Sequence, residues 1–418
     1  MARTVFTNVN LLDGDNPAQP GMTVAIDGNR VEQVSVRPVD PLPGDTVYDL
    51  AGNSMLPGLG TGHVHAEFHH MDLGLLEQVY GGAERPAGVL MAVAINTARN
   101  LLESGYTMAV SAACSNDIDV CLKIGMEEGL FPGPRLLACS PHIETTGNER
   151  PHWWYDSRNT GMQVFADGPE EMRKVVRTQI RRGADWIKIL PTGGHGITDP
   201  RNRKISHDEI LAVVQTAHEM GKRVRAHAAW RELIDECVEA GVDLIDHGDE
   251  VDEEIIEKML SRGTFWVPSM RILDLALGIS TGAVAEGGLD ESMKTGVQQE
   301  WNQLAAMVPI ANEAGVRILT GDDYGVPFAQ HTPGVYSTEL STYVDHVGIK
   351  PLDTLRWATR NMAALMQMEG ELGTVAPGAL ADLIVVRGDP SSEISLLGDP
   401  TTNVLAVMKG GEFFKNKL

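Results

Sequence analysis

The feature that most restricts the fold of this chain is an alternation of short apolar segments with amphipathic ones between residues 58 and 369. Amphipathic stretches run from Glu170 to Arg182 and from Asp252 to Arg262, for example. Short apolar strands that alternate with helices are typical of βα units and a parallel sheet. Eight apolar segments are present, and they end near His63, Val110, Ala138, Leu190, His227, His247, Val267 and Gly321. The pattern predicts an α/β protein with a (β/α)8 TIM barrel, whose active site lies where the strands end.

The two ends of the chain follow a different pattern from its middle. Residues 1–57 and 370–418 contain short runs with strand-like alternation, separated by Gly, Asp and Pro. The runs are Thr4 to Leu11, Met22 to Ile26, Arg30 to Val36, Ala381 to Arg387, Asn403 to Met408 and Glu412 to Lys415. We expect the first three to form a small antiparallel sheet. Together, both termini predict a β-sandwich domain beside a barrel of residues 58–369.

Charge and cysteine content narrow the choice of partners. The chain has 34 Lys and Arg against 57 Asp and Glu, which gives a net charge of −23. Such a negative field repels phosphate backbones and anionic lipid surfaces, so we expect neither nucleic acid nor a membrane as partner. The four cysteines form no C-x-x-C pair, and no apolar run near the start resembles a signal peptide. We predict a cytoplasmic protein that acts on a small molecule, and we expect a homo-oligomer.

The first motif with chemical meaning is the H-x-H pair of His63 and His65 in LPGLGTGHVHAEF. Residues two apart in a strand project from the same face, so both imidazoles can ligate one metal ion. Such a pair also arises by chance at the exposed end of a strand. The interpretation therefore depends on what the other strand ends supply.

The second motif is a lysine inside an apolar strand, Lys188 in DWIKIL. Removing an ammonium group from water costs several kcal/mol unless the group is paired or neutralised. In one interpretation, Lys188 extends to the barrel mouth and pairs with an acid. In the other, burial lowers the pKa of the amine, which then adds carbon dioxide to form a carbamate that bridges two metals.

Three more strand ends carry side chains that bind metals. His227 ends RVRAH, His247 ends VDLIDH, and Asp322 and Asp323 follow VRILTG. Because the strand ends of a barrel meet at one rim, these groups should converge with His63, His65 and Lys188. Imidazole and carboxylate ligands suit Zn²⁺ and related ions, and two ions about 3.5 to 4 Å apart would generate a bridging hydroxide at neutral pH. The set predicts a hydrolase.

With these motifs, the chain resembles the amidohydrolase superfamily, in particular the binuclear branch of metal-dependent carboxypeptidases, prolidases and imidazolonepropionase-like enzymes. The segments that match are LPGLGTGHVH, WIKILPTGG, RAHAA, DHGDEVDEE, ILTGDDYG and GTVAPGALADLIVV. The resemblance implies that His63, His65 and Asp323 hold one ion and that His227 and His247 hold the other. It further implies that Lys188, as N6-carboxylysine, bridges two divalent ions, with Zn expected and Mn or Co as alternatives.

The sequence departs from this family where a substrate would bind. Related dipeptidases usually carry a T-G-G-H-G-D-like loop after the third strand, whereas here Thr145-Thr146-Gly147 leads into NERPHWWYD, and Ala229 replaces an aromatic or polar residue. His195, in the turn TGGHG, is interpreted as turn packing. Residues on or near the rim loops are candidates for substrate contact: His142, His152, Trp153, Trp154, Arg271, Tyr324 and His331.

The leading hypothesis is hydrolysis of an amide or related C–N bond, in an acyl amino acid, dipeptide, aryl amide, urea, carbamate or lactam. The bridging hydroxide would attack the carbonyl, and Asp323 would pass its proton to the leaving nitrogen. Two alternatives remain. A mononuclear deaminase of the same superfamily would use a similar set without Lys188, and a non-catalytic oligomeric scaffold would need no ligands at all.

Overall fold

Strands and helices alternate through the middle of the chain, as the sequence predicts. The computed structural model describes residues 3–36, 42–69, 86–146, 161–195, 201–283, 291–326 and 329–418. The strands are β1 Thr4–Leu11, β2 Gln19–Asp27, β3 Arg30–Ser35, β4 Thr46–Asp49, β5 Ser54–Pro57, β6 Leu59–Val64, β7 Tyr106–Ser111, β8 Arg135–Leu137, β9 Cys139–Glu144, β10 Gln163–Phe165, β11 Trp186–Ile189, β12 Arg223–Ala228, β13 Leu244–His247, β14 Phe265–Val267, β15 Leu383–Val386, β16 Val404–Lys409 and β17 Glu412–Asn416.

The helices lie mostly between the parallel strands. They are α1 Ala87–Glu103, α2 Ile118–Glu127, α3 Gly168–Arg182, α4 His207–Glu219, α5 Arg231–Ala240, α6 Glu253–Arg262, α7 Met270–Leu277, α8 Glu291–Ala314, α9 Val335–Val347, α10 Pro351–Arg356, α11 Met362–Leu365 and α12 Pro400–Asn403. The start of α4 has a capping box, since the Glu209 carboxylate accepts the Ser206 backbone N–H at 2.8 Å. Among the described helices, none combines the length and the hydrophobicity needed to cross a bilayer.

Both ends of the chain join in one eight-stranded sheet. Its order is β17-β16-β15-β5-β1-β2-β3, with β4 also paired to β1. The expected antiparallel pairing holds for β1 with β2 and for β2 with β3, but β1 pairs in parallel with β4 and β5. A parallel pair needs a crossover rather than a tight hairpin, and β2 and β3 form that crossover here. The sandwich itself and its domain boundaries stay predictions.

The parallel strands lie in two further sheets. One has the order β10-β9-β11-β12-β13-β14, and the other contains β6, β7 and β8. Residues 316–320 connect them, because Leu319 N–H donates to the Trp266 carbonyl at 2.9 Å and Gly62 N–H donates to the Thr320 carbonyl at 2.7 Å. The third predicted strand does not stop at Ala138, since β9 continues to Glu144. These sheets confirm the α/β class, whereas a closed barrel stays a prediction.

The eighth predicted strand, ending near Gly321, is a correction to the sequence-based expectation. Only an isolated bridge between Ile318 and Trp266 forms in this described segment. The reason is local, because Ile318 N–H bonds to the Val316 carbonyl two residues earlier and so leaves no regular ladder. The segment nevertheless reaches β6. It therefore brings Asp323, which follows it, close to His63 in β6 and to His65 just after that strand.

Candidate metal centre

His63 in β6, His65 just after this strand and the acid after the eighth segment meet because one glycine permits a close approach. His63 and His65 are buried, with 1% and 4% of their surface exposed. Gly321 has φ +148°, and a Cβ at this position would lie 2.4 Å from the backbone nitrogen of His63. Only glycine accommodates that conformation and that spacing. The segment that carries Asp323 can therefore lie directly against β6.

The side chains of His63, His65 and Asp323 form a tight group. Oδ1 of Asp323 lies 2.7 Å from Nε2 of His63 and 3.2 Å from Nε2 of His65. The two Nε2 atoms are 3.3 Å apart. Two unprotonated imidazole nitrogens at this distance repel each other unless a proton or a cation lies between them.

The second nitrogen of each ring has a fixed partner. Nδ1 of His63 lies 2.9 Å from Oδ1 of Asp246, and Nδ1 of His65 lies 3.0 Å from the carbonyl oxygen of Ala113. Because both partners accept hydrogen bonds, each Nδ1 is placed to donate its N–H. An imidazole that donates from Nδ1 can bind a metal through Nε2, the nitrogen that faces Asp323 in both rings.

The carboxylate of Asp323 is held in its charged form. Burial works to raise its pKa, but the neighbouring imidazoles of His63, His65 and His247 outweigh burial and keep the pKa well below its ordinary value. The Asp323 side chain is 19% exposed, whereas those of His63 and His247 are 1% exposed. Within this group, the acid is thus the member most open to a bound molecule.

His227 and His247 form the other side of the pocket. Their ring centroids are 4.5 Å apart, and Nε2 of His247 lies 3.9 Å from Oδ2 of Asp323. Burial lowers the pKa of both imidazoles well below the ordinary value, with nearby cationic side chains adding to the effect. Both rings are therefore neutral at pH 7, which is the state in which histidine binds metals.

Lys188 lies beneath these rings and does not extend to the rim. Its side chain is 2% exposed, and its Nζ donates to Oδ2 of Asp246 at 2.5 Å. Burial lowers the pKa of the amine, and the Arg225 guanidinium also acts in that direction, whereas the Asp246 carboxylate opposes it. The first interpretation of Lys188 expected it to pair with an acid at the barrel mouth. Lys188 does pair with an acid, but this acid, Asp246, lies in the interior.

The residues present fit a divalent cation. His63, His247 and Asp323 each offer one ligand atom, and these atoms lie within 4.8 Å of one another. Imidazole nitrogens and a charged carboxylate are the ligand set that zinc and its neighbours prefer. A metal site at these three residues agrees with this geometry.

A comparison of the sequence with known protein families identifies the family of this chain. A sequence profile of the Amidohydrolase family covers residues 54–413, which is most of the chain. The chain belongs to the amidohydrolase family.

Individual relatives place this amidohydrolase among several hydrolases. Ochratoxinase from Aspergillus niger is 31% identical over 278 residues, which are 64% of this chain and 53% of ochratoxinase. The chain therefore matches about half of the length of that relative. A solved prolidase complexed with N-methylphosphonate-L-proline has a TM-score of 0.84 and 29% identity, over 99% of this chain and 100% of the other. A Xaa-Pro dipeptidase with methionine in its active site has a TM-score of 0.85 and 27% identity, with the same coverage.

Six of the seven residues predicted to contact substrate divide into three groups. His142 lies beside the candidate metal site, with its ring centroid 6.1 Å from that of His65; its buried Nδ1 lies 3.9 Å from Oε1 of Glu144 and has no hydrogen bond among the described residues. Arg271 and Tyr324 contact other protein groups, since Arg271 donates to Ser280 Oγ at 2.8 Å and fully buried Tyr324 packs on Tyr336. His152, Trp153 and Trp154 lie outside the described residues. Substrate contact by any of them stays a prediction.

His331 supports the site from behind. Its Nε2 lies 3.0 Å from the backbone carbonyl of His65, and its Nδ1 lies 2.5 Å from the Tyr336 hydroxyl. Burial lowers the pKa of His331 to about 3, so the ring is neutral. A neutral ring that donates from Nε2 leaves Nδ1 to accept from Tyr336. In this position His331 holds the backbone of a predicted ligand.

Sequence reasoning missed His195, which it assigned to turn packing. The ring stacks on that of His247 with centroids 3.9 Å apart, and Asp249 accepts from its backbone N–H at 2.8 Å and from its Nδ1 at 3.0 Å. Burial opposes its charge, but Asp249 outweighs burial and raises the pKa of His195 to about 10. The only signal was its place in the turn after the Lys188 strand, because the contact depends on a left-handed backbone with φ +54°.

Proposed function

We propose that this amidohydrolase cleaves an amide or related C–N bond with the help of two divalent ions. The observation that carries the proposal is the arrangement of His63 and His65, whose Nε2 atoms both face one oxygen of Asp323 while both Nδ1 atoms are held by acceptors. Apolar residues would stabilise the interior better than two buried imidazoles gathered around a charged carboxylate. The same arrangement provides the ligand atoms that a cation needs.

The proposed ligands form two sets that share a bridge. His63, His65 and Asp323 would hold one ion, His227 and His247 the other, and a carboxylated Lys188 would lie between them. The burial of Lys188 and the neutral state of His227 and His247 support this assignment. Zn²⁺ is the expected metal because imidazole and carboxylate ligands suit it, with Mn²⁺ and Co²⁺ as alternatives.

The reaction divides between the ions and the chain. When bound, the two ions would supply an activated bridging hydroxide and polarise the carbonyl of the substrate. Asp323 would take up a proton at its carboxylate and deliver it to the nitrogen that leaves, which its partial exposure allows. The buried histidines would hold their rings fixed, and the surrounding apolar side chains would exclude water from the reacting bond.

Metal analysis of the purified protein tests this proposal against its alternatives. Two ions per chain support the binuclear hydrolase, one ion supports the mononuclear deaminase, and none supports the non-catalytic scaffold. An activity screen then addresses the substrate, with acyl amino acids, dipeptides, aryl amides, ureas, carbamates and lactams. Ochratoxin and Xaa-Pro dipeptides belong in the panel because relatives are named for them. Absence of hydrolysis across this panel by protein with two ions would overturn the assignment to C–N bonds.

The choice among these substrates rests on the rim, where this chain differs from related dipeptidases. Ala229 is fully buried, and its backbone N–H donates to Thr192 Oγ1 at 2.9 Å. With only a methyl group at this position, the chain lacks the aromatic or polar side chain of related dipeptidases, so substrates other than dipeptides belong in the screen. A cytoplasmic location and a homo-oligomeric state also stay predictions, which fractionation and sedimentation test directly.

A further inference from the structure

Beneath the proposed metal site lies a buried group of three charged side chains, of which Asp246 and Arg225 have no part in the reaction as described. Asp246, Arg225 and Lys188 are 0%, 0% and 2% exposed. Two cations against one anion would be costly in an apolar interior without close contacts. Asp246 provides these contacts, because it accepts hydrogen bonds from both cations and from His63.

The contacts on Asp246 are not equivalent. Its Oδ1 meets Nδ1 of His63 at 2.9 Å, and its Oδ2 meets Nζ of Lys188 at 2.5 Å. Arg225 alone contacts both oxygens, through Nε to Oδ2 at 3.0 Å and through NH2 to Oδ1. A guanidinium fork that grips both oxygens fixes the plane of a carboxylate, which a single ammonium contact does not do.

Arg225 is itself anchored from the opposite side. Its NH1 donates to the backbone carbonyl of Ser111 at 2.7 Å. It also lies two residues before His227 on β12, so both side chains project from the same face of that strand. Strand β12 thus carries the proposed ligand His227 and also Arg225, the cation that contacts the Asp246 carboxylate on which His63 is hydrogen-bonded.

We propose that Arg225 is a positioning residue for the metal site, which keeps the Asp246 carboxylate aimed at His63 independently of Lys188. The inference rests on the proposed function in one respect, since Lys188 must be free to leave Asp246 if it serves as a ligand. Arg225 makes that departure tolerable, because Oδ2 of Asp246 then still has a charged partner and the Oδ1 contact with His63 is undisturbed.

The first test is a double-mutant cycle on the full-length protein, measured by urea unfolding as purified and after removal of metal. Arg225→Met and Lys188→Met each leave Asp246 one cation, whereas the double variant leaves none. We expect the double variant to lower the folding constant by roughly 10- to 100-fold more than the product of the single effects. If the single effects simply multiply, the two cations do not share Asp246 and the proposal is overturned. Should Arg225→Met not fold, Arg225→Lys takes its place in the cycle.

The second test separates positioning from general stability. Arg225→Lys keeps the charge but loses the fork, so we expect it to fold and to bind Co²⁺ with a visible absorption band shifted from that of the unaltered protein. Arg223→Met is the matched control, since Arg223 lies on the same face of β12 but donates to the Leu365 carbonyl at 2.9 Å. Its Co²⁺ band should be unchanged. An unshifted band in Arg225→Lys overturns the proposal, whereas failure of the unaltered protein to bind Co²⁺ overturns the proposed function and leaves the unfolding cycle to decide on Arg225.

Discussion

The two sides of the candidate metal pocket hold their histidines by different forces. His63 and His65 each have a hydrogen-bond acceptor at Nδ1. Nδ1 of His247 is buried with no such partner in the part of the chain that the structure describes, and its ring is stacked on His195 instead. A hydrogen bond fixes both the tautomer and the direction of a ring, whereas stacking fixes only its plane. The side with His63 and His65 should therefore be ordered for a cation in advance. On the side with His247, the order of the ring should depend on His195, which is stacked against it.

Backbone conformation follows the same division. His247 and His195 both adopt left-handed backbone conformations, with φ +66° and +54°, which residues other than glycine rarely take. Such strain persists only where surrounding contacts impose it. Here the contacts are the bonds from His195 to Asp249 and the bond from Trp266 Nε1 to the His247 carbonyl at 2.8 Å. On the stacked side, His247 thus has a strained backbone at the end of β13, whereas His63 on the other side lies within the regular strand β6.

Removal of all metal is expected to have the largest effect, because both sides then lose their common function. A strong chelator should abolish hydrolysis, and Zn²⁺, Mn²⁺ or Co²⁺ should restore it. Activity and metal content should be followed together during dialysis. Full activity in protein shown to be free of metal would contradict the proposed chemistry on either side of the pocket.

Acid should remove metal reversibly, and the pH at which half of the metal is released should lie below 6.5. The pKa values of His227 and His247 are lowered in the folded chain, so as the pH falls below about 6.5 the unfolded chain takes up protons first. Their contribution to stability is therefore present above that pH and declines below it. The Asp323 contribution, with its lowered pKa, is lost at still lower pH. We expect half of the metal to be released below pH 6.5 in equilibrium dialysis, and a midpoint above that value would contradict the argument.

Lys188 lies between the two sides, and its removal should separate them. In Lys188→Ala we expect turnover to fall by roughly three orders of magnitude or more, with loss of one ion per chain, because both ions lose a shared anionic ligand. Short carboxylic acids should restore part of the activity by occupying the vacated space. Lys222→Ala is a control, since Lys222 pairs with Asp185 away from the pocket. Normal metal content and near-normal turnover in Lys188→Ala would show that Lys188 is no ligand.

The comparison also shows what could be predicted from the sequence. The strand-end positions of His63 and Asp323 pointed to a common rim, and the structure brings the two side chains to 2.7 Å. The part played by Arg225 could not be found this way, because its partner Asp246 lies on another strand and the match depends on the register between β12 and β13. The isolated bridge at Ile318 was missed for a similar reason, since an apolar run does not reveal local turn bonding.

Loss of the stacked ring should weaken one side of the pocket moderately. In His195→Ala we expect the affinity for one of the two ions to fall by about 10- to 100-fold, as is usual when a group that orients a ligand is removed. His195→Phe keeps a ring of similar shape, so it should retain most of that affinity although it loses the bond to Asp249. Calorimetric titration of metal into both variants measures the difference. Equal losses in the two variants would mean that Asp249, and not the stack, holds His247.

The smallest effect on metal affinity is expected when the stack on His65 is removed. This variant tests whether hydrogen bonds rather than stacking hold the histidines on the first side. Phe68 stacks on His65 with ring centroids 4.1 Å apart and an interplanar angle of 5°. His65 also donates to the Ala113 carbonyl, so Phe68→Ala removes a stack but leaves the hydrogen bond that fixes the ring. We expect metal affinity to fall by less than about 10-fold, clearly less than in His195→Ala, because direction and tautomer are retained. If Phe68→Ala weakens binding as much as His195→Ala does, stacking holds the ligands on both sides and the hydrogen bonds at Nδ1 contribute little to the order of the pocket.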